Sequence, residues 1–211
     1  MSRFAFIRHA QSHANAGGVV MPNADIPLSP LGAGQAERLA SLLPAPESAV
    51  FVSSFLRTRQ TAAPWCARHA LSPATHPLIH EFSTIDHRRI EGLDLAARRP
   101  LTEAYWQAAD PDFRYGDGAE TFREFDARVR AFIAQLDALP AGTLLFGHGM
   151  WIALLIWRLR GELGCDSADM RAFHTFLRDL AMPNCAVWRF ERDPAQGWQA
   201  RSDDALQAKL A

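Results

Sequence analysis

The sequence predicts an α/β fold: a three-layer sandwich with a mostly parallel central sheet and helices on both faces. Short continuous apolar runs, such as Phe4 to Ile7, alternate along the chain with amphipathic stretches. Strands apolar at every position are those buried on both faces, as in parallel sheets covered by helices. The 211 residues suit one domain, 1–211, with room for at most an inserted subdomain.

The first strand is read at Phe4 to Ile7, ending abruptly at Arg8-His9. Ser29 is a good N-cap, Pro30 fits the first helical position, and Leu31, Ala36, Leu39 and Leu43 recur through the helix that follows. Ala49 to Ser54 predicts a second buried strand, leading into a helix from about Phe55 to His69. The run "THPLIHEF", Thr75 to Phe82, predicts a third strand. Residues 83–118 are irregular and rich in Arg, Asp and Gly, with one short helix around Leu101 to Ala109, and read as an insertion or lid. Phe122, Phe125, Val129, Phe132, Ile133, Leu136 and Leu139 then share one buried helical face. Gly142 to Gly149 predicts a strand stopping at His148, Met150 to Arg160 an apolar helix, and Cys185 to Glu191 a last strand paired with Trp198 to Arg201.

Composition narrows the function. A hydrophobic share of 48% and a charged share of 21% are those of an ordinary globular protein. With a net charge of −1 there is no basic field for a nucleic-acid backbone or an anionic membrane. Any anionic substrate must be held by a local cluster of positive groups. Lys209 is the only lysine among 22 basic residues, so a nearby arginine is weak evidence by itself. Cys66, Cys165 and Cys185 are odd in number and widely spaced, which argues against a disulfide framework or a cysteine zinc site. The opening apolar run reaches Arg8 and His9 too soon for a signal peptide, and Thr143 to Trp157 is too short to span a bilayer. The expected location is cytoplasmic, with neither nucleic acid nor membrane as a partner.

Ligands of such sheets bind beyond the carboxyl ends of the strands. Arg8-His9, Ser53-Ser54, Glu81 and His148-Gly149 all follow a predicted strand and so can face one cleft. The Arg-His dipeptide alone says little, since Arg68-His69 is another; its position at a strand end is what informs. Either histidine alone reads more simply as a hydrogen-bonded strand-end residue, but two in one sheet favour a site. Arg57, one turn into a helix, reads either as a solvated side chain or as a guanidinium fork for phosphate oxygens near a helix N-terminus.

The blocks "FIRHAQSHAN", "DIPLSPLGAGQA", "SSFLRTRQTA", "GAETFREFDARV", "FGHGM" and "MPNCAV", in this order, resemble the histidine phosphatase superfamily, which includes phosphoglycerate mutases and related phosphatases. The resemblance implies a metal-independent phosphomonoesterase in which His9 attacks phosphorus and becomes a phosphohistidine. It implies that Arg8, Arg57 and His148 hold the phosphoryl oxygens, with Asn15 and Gly149 beside them, on a small phosphorylated substrate with no cofactor. Relatives are often dimers, which leaves a homodimer open. The general acid is expected at Glu81, with Asp86 and Glu91 as alternatives.

Three departures stand out. Ala10 follows the nucleophile where the family usually has Gly, and one methyl is tolerated only if the backbone there is not in a glycine-only conformation. The Glu-Arg-x-Tyr-Gly pattern of phosphoglycerate mutases is missing around Glu81, which argues against phosphoglycerate-mutase-type phosphotransfer. Met150 rather than Asp follows His148-Gly149, which disfavours the acid-phosphatase and phytase branch. Two other readings compete: a metal-dependent hydrolase using His9, His13, Asp86, His87 and His148, and a non-catalytic module that binds a phosphorylated ligand. The insertion's Tyr105, Trp106, Phe113 and Tyr115 with Arg88, Arg89, Arg98 and Arg99 read either as a substrate lid or, more simply, as a solvated loop whose aromatics pack inward.

Overall fold

A computed structural model describes residues 3–18 and 21–210. Its sheet runs β3-β2-β4-β1-β5-β6. The strands are β1 (Arg3–Arg8), β2 (Val50–Val52), β3 (Ala74–Thr75), β4 (Thr143–Gly147), β5 (Val187–Asp193) and β6 (Gly197–Ser202). Pairing is parallel from β3 through β2 and β4 to β1, and antiparallel from β1 to β5 and β5 to β6.

Among the described residues seven α-helices cover the sheet: α1 (Pro30–Leu42), α2 (Leu56–Arg68), α3 (Leu95–Ala108), α4 (Phe122–Ile133), α5 (Gly149–Leu159), α6 (Ser167–Asp179) and α7 (Asp204–Leu210). Alternation along β1 divides the core. Phe4 and Phe6 join the layer built on α3, α4, α5 and α6, while Ala5 and Ile7 join the layer built on α1, α2 and α7. The unbroken apolar run at the start of the chain is therefore a strand buried on both sides.

Local chemistry sets most boundaries as the sequence indicates. Ser29 caps α1 through its side chain, and Pro30 fills the first position. Thr121 and Glu124 form a reciprocal capping box on α4, whose buried face is Phe122, Phe125, Val129 and Phe132.

Two expectations need correction. The predicted third strand is only Ala74–Thr75. Pro77 has no N–H to give a ladder, and the next carbonyls are taken by side chains. Trp151 Nε1 donates to Leu78 O at 2.8 Å, and Arg128 Nη1 donates to Leu78 O at 2.8 Å and His80 O at 2.6 Å. Glu81 thus sits in a clamped loop rather than at a strand end. The helix expected at Leu101 to Ala109 begins instead at Leu95, capped by Asp94, and tolerates Pro100 within it. Helices α6 and α7 had no counterpart in the sequence reading. The capping box of α6, Asp166 with Asp169, was the legible signal there.

Within residues 83–118 the simpler reading holds for two aromatics. Tyr105 and Trp106 are buried and pack around Phe82, whereas Phe113 stays exposed.

Candidate active site

Strand register builds the centre of the site. Arg8 lies opposite Gly147, and the His9 amide donates to Gly147 O at 2.9 Å. His9 and His148 therefore leave neighbouring strands at the same level, with ring centroids 5.3 Å apart. Gly147 is required here, because a Cβ would lie 2.3 Å from the Phe6 ring. Gly149 opens α5, and Arg57 lies in the first turn of α2.

The partners of His9 assign its protons. Nδ1 lies 2.7 Å from Ala10 O, which can only accept, so Nδ1 carries the hydrogen. Nε2 keeps its lone pair and accepts from Arg57 Nε at 3.1 Å. Burial, then the Arg57 charge, holds the imidazole well below the usual histidine range. The ring is therefore neutral, with an available lone pair, at physiological pH. His148 is held low for the same reasons in the same order. Its Nε2 lies 2.7 Å from Ser53 Oγ, while its Nδ1 is buried without a partner among the described residues.

Arg8 and Arg57 bring positive charge to the same place. Burial pushes Arg57 down to about 10, so it remains a cation at neutral pH. Its Nη1 donates to Asn23 O at 2.6 Å. Arg8 Nη1 donates to Met182 O, and its Nε is buried without a partner among the described residues. Orphaned buried polar atoms are uncommon and costly. Arg8 Nε and His148 Nδ1 are both of this kind and flank His9, as expected of a seat for a ligand rich in acceptors.

The structure separates the three carboxylates. Glu81 lines the cleft with Arg8, His9 and Arg57. Burial raises its carboxyl above the ordinary range, against the pull of the Phe82 and Met150 amides and the two guanidinium groups. Its oxygens accept from the amides of Phe82, Met150 and Trp151 at 3.0, 3.2 and 3.1 Å. Asp86 is instead bound to Arg88 and the Gly118 amide, which hold it far below the carboxylate range. Glu91 is exposed and does not line the cleft. Among the described residues no three His, Cys, Asp or Glu side chains are grouped to hold a metal ion.

Asn15 also lines the cleft, and Ala10 lies buried below it. The non-glycine residues with left-handed backbone are Ala70, Ala109 and Cys185; Ala10 is not among them, so its methyl brings no backbone strain. The cleft has a volume of about 780 Å³. Beyond the residues around His9, its outer wall is lined by Met21, Ile26, Ile85, Ile90, Leu177 and Leu180, with Arg98, Thr102 and Glu103 of α3. Most of these escaped the sequence reading, because nothing in their spacing distinguishes them from surface residues. Asn184, which donates to His9 O at 3.2 Å, was visible only as part of the "MPNCAV" block.

Known proteins carry the same arrangement of sequence and fold. An adenosylcobalamin/alpha-ribazole phosphatase of Salmonella typhimurium is 30% identical over 203 residues, covering 90% of this chain and 100% of that protein. The alpha-ribazole phosphatase structure from Shigella flexneri superposes with a TM-score of 0.71 at 23% identity, over 95% of each chain. Mycobacterial glucosyl-3-phosphoglycerate phosphatase superposes with a TM-score of 0.69 at 23% identity, over 96% of this chain and 97% of that one. The profile of the histidine phosphatase superfamily (branch 1) matches residues 4–204. With that match spanning a site of two strand-end histidines and two buried arginines, the chain belongs to the histidine phosphatase superfamily.

Proposed function

We propose that this phosphatase hydrolyses a small phosphorylated metabolite through a phosphohistidine on His9, with side-chain cations in place of a metal. The observation that carries the reading is the His9 tautomer: Nδ1 is tied to Ala10 O, and Nε2 presents its lone pair to Arg57 in a cleft that Arg8 also lines. In the first step Nε2 attacks phosphorus in line, the N–P bond forms and the P–O bond to the leaving alcohol breaks. Glu81, its carboxyl raised by burial, gives that oxygen a proton. In the second step the Glu81 carboxylate takes a proton from water, which attacks phosphorus and frees His9 and inorganic phosphate. Arg8, Arg57, His148, Asn15 and the Gly149 end of α5 stabilise the charge on the transferring oxygens. A module built only to bind has no use for an acid in the position of Glu81.

The whole chain is read as one domain, with residues 83–118 forming a lid-like wall. The relatives act, by name, on alpha-ribazole and glucosyl-3-phosphoglycerate compounds. For this chain the outer walls favour a leaving group with a substantial apolar face. The cytoplasm is the proposed compartment; no helix among the described residues is long and apolar enough to cross a membrane, and Cys66, Cys165 and Cys185 are free.

The test is phosphate release from a panel of small phosphomonoesters in excess EDTA, comparing wild type with His9→Ala. Turnover that resists EDTA and disappears in the variant is expected. Activity that requires added metal, or that survives in His9→Ala, would overturn the phosphohistidine reading.

A further inference from the structure

Asn15 and Asn184 lock each other's amide orientation, and backbone groups of fixed polarity identify each end. Asn15 Oδ1 accepts from the Ser12 amide at 3.1 Å, and an amide N–H can only donate. Asn184 Nδ2 lies 3.2 Å from His9 O, which can only accept. The same Nδ2 lies 3.2 Å from Asn15 Oδ1. Both lone-pair directions of Asn15 are thereby engaged by donors, and its own Nδ2 is left as the donor of a residue that lines the cleft with Arg8, His9 and Arg57.

The backbone supports the arrangement. Cys185, directly after Asn184, has φ +60, a left-handed conformation that a residue with a side chain rarely adopts. Its amide donates to His9 O at 3.3 Å, so the turn is pinned to the same carbonyl that Asn184 holds. The chain accepts an unfavourable backbone at this turn, and the turn sets Asn184 against Asn15.

We propose that Asn184 is a positioning residue that fixes the polarity of the Asn15 amide, so that the phosphate seat meets a hydrogen-bond donor and never an acceptor. The terminal torsion of a carboxamide is broad and nearly two-fold, so without Asn184 only the Ser12 amide opposes the flipped amide. A flipped Asn15 would aim its oxygen at a phosphoryl dianion and repel it. The inference rests on the phosphohydrolase reading, because it needs an anion beside Asn15.

The experiment is a double-mutant cycle read by calorimetric binding of inorganic phosphate, using wild type, Asn184→Ala, Asn15→Ala and the pair. Asn184→Ala is expected to weaken phosphate binding about tenfold, the scale of one charge-assisted hydrogen bond. In the Asn15→Ala background the same change is expected to weaken it by no more than about twofold. Asn184→Asp, of the same size but without the donor, is expected to weaken binding at least as much as Asn184→Ala, and it stands in if the alanine variant melts without cooperativity. Equal weakening in both backgrounds would mean that Asn184 acts through His9 or the fold at large, and would overturn the proposal, as would no weakening at all. Failure of the wild type to bind phosphate would instead overturn the phosphate seat itself.

Discussion

The inner end of the cleft is built from strand tips, and the outer end from loops and α3. The two ends differ in how firmly their side chains are committed. His9, Arg57 and His148 are at most 4% exposed, and each has a backbone or hydroxyl partner that dictates its orientation. On the outer wall, Arg99 and Glu103 form an exposed i,i+4 pair, weakened by solvent screening. Arg98 reaches the carbonyls of Asp94 and Gly18. The phosphoryl chemistry is thus set in a rigid frame, while the part that meets the leaving group can change at little cost to the fold.

Glu81 lies between the two regimes. It belongs to a loop, yet the loop is clamped: Arg128 holds the Leu78 and His80 carbonyls, and Glu120 in turn holds Arg128 in a two-point pair. A loop residue has become nearly as fixed as a strand tip, as the role proposed for Glu81 requires.

The sharpest way to break this contrast is at its inner end. His9→Gln should lower turnover by at least about 10³-fold for every phosphomonoester, since no other group takes the nucleophile's place. A leaving-group-dependent loss, measured across alkyl and aryl esters, would show that His9 is not the attacking group. Glu81→Gln should slow alkyl phosphates by about 10²-fold and nitrophenyl phosphate far less, because a good leaving group needs no proton. Equal losses for both would count against Glu81 as the acid. Arg128→Ala should reproduce a smaller version of the same leaving-group dependence and lower stability by about 1.5–3 kcal/mol, measured by urea unfolding. Loss of stability without any change in leaving-group dependence would reduce the clamp to a structural role.

Stability against pH probes the same frame. His9 and His148 are held below their unfolded value of about 6.5, so their contribution is complete above that pH and declines as pH falls below it. Each should lower the unfolding free energy by up to about 1.4 kcal/mol per pH unit there. Glu81, whose folded value is raised, works the other way: its contribution is present below the ordinary carboxylate range and is lost as pH rises. Burial lowers His76, His80 and His174 as well, so five histidines against one carboxyl leave a net decline toward acid, and urea midpoints at pH 7.5 and 5.5 that fail to differ would contradict the neutral-imidazole assignment. The smallest effects belong to the outer wall. Arg98→Ala and Thr102→Ala should shift KM for the preferred substrate by a few fold and leave nitrophenyl phosphate kinetics unchanged.

The sequence by itself determined the sandwich, the strand ends that carry Arg8-His9 and His148-Gly149, and the place of Arg57 one turn into a helix. These are readable because buried strands are apolar throughout and the chain must turn polar where they end. The same logic misplaced the third strand, since an apolar run around Pro77 looks alike whether its carbonyls meet a neighbouring strand or the Arg128 guanidinium. The sequence favours Glu81 over Asp86 and Glu91 only through a strand that does not form there, and tertiary structure supplies the real reason that Glu81 faces the cleft. What separates the carboxylates is a set of partners distant in the chain: the α5 amides for Glu81, and Gly118 for Asp86. Tertiary structure also decided the polarity of Asn15, because one of the two donors that lock it, Asn184 Nδ2, comes from 169 residues away, and hydrogen-bond direction leaves no trace in spacing.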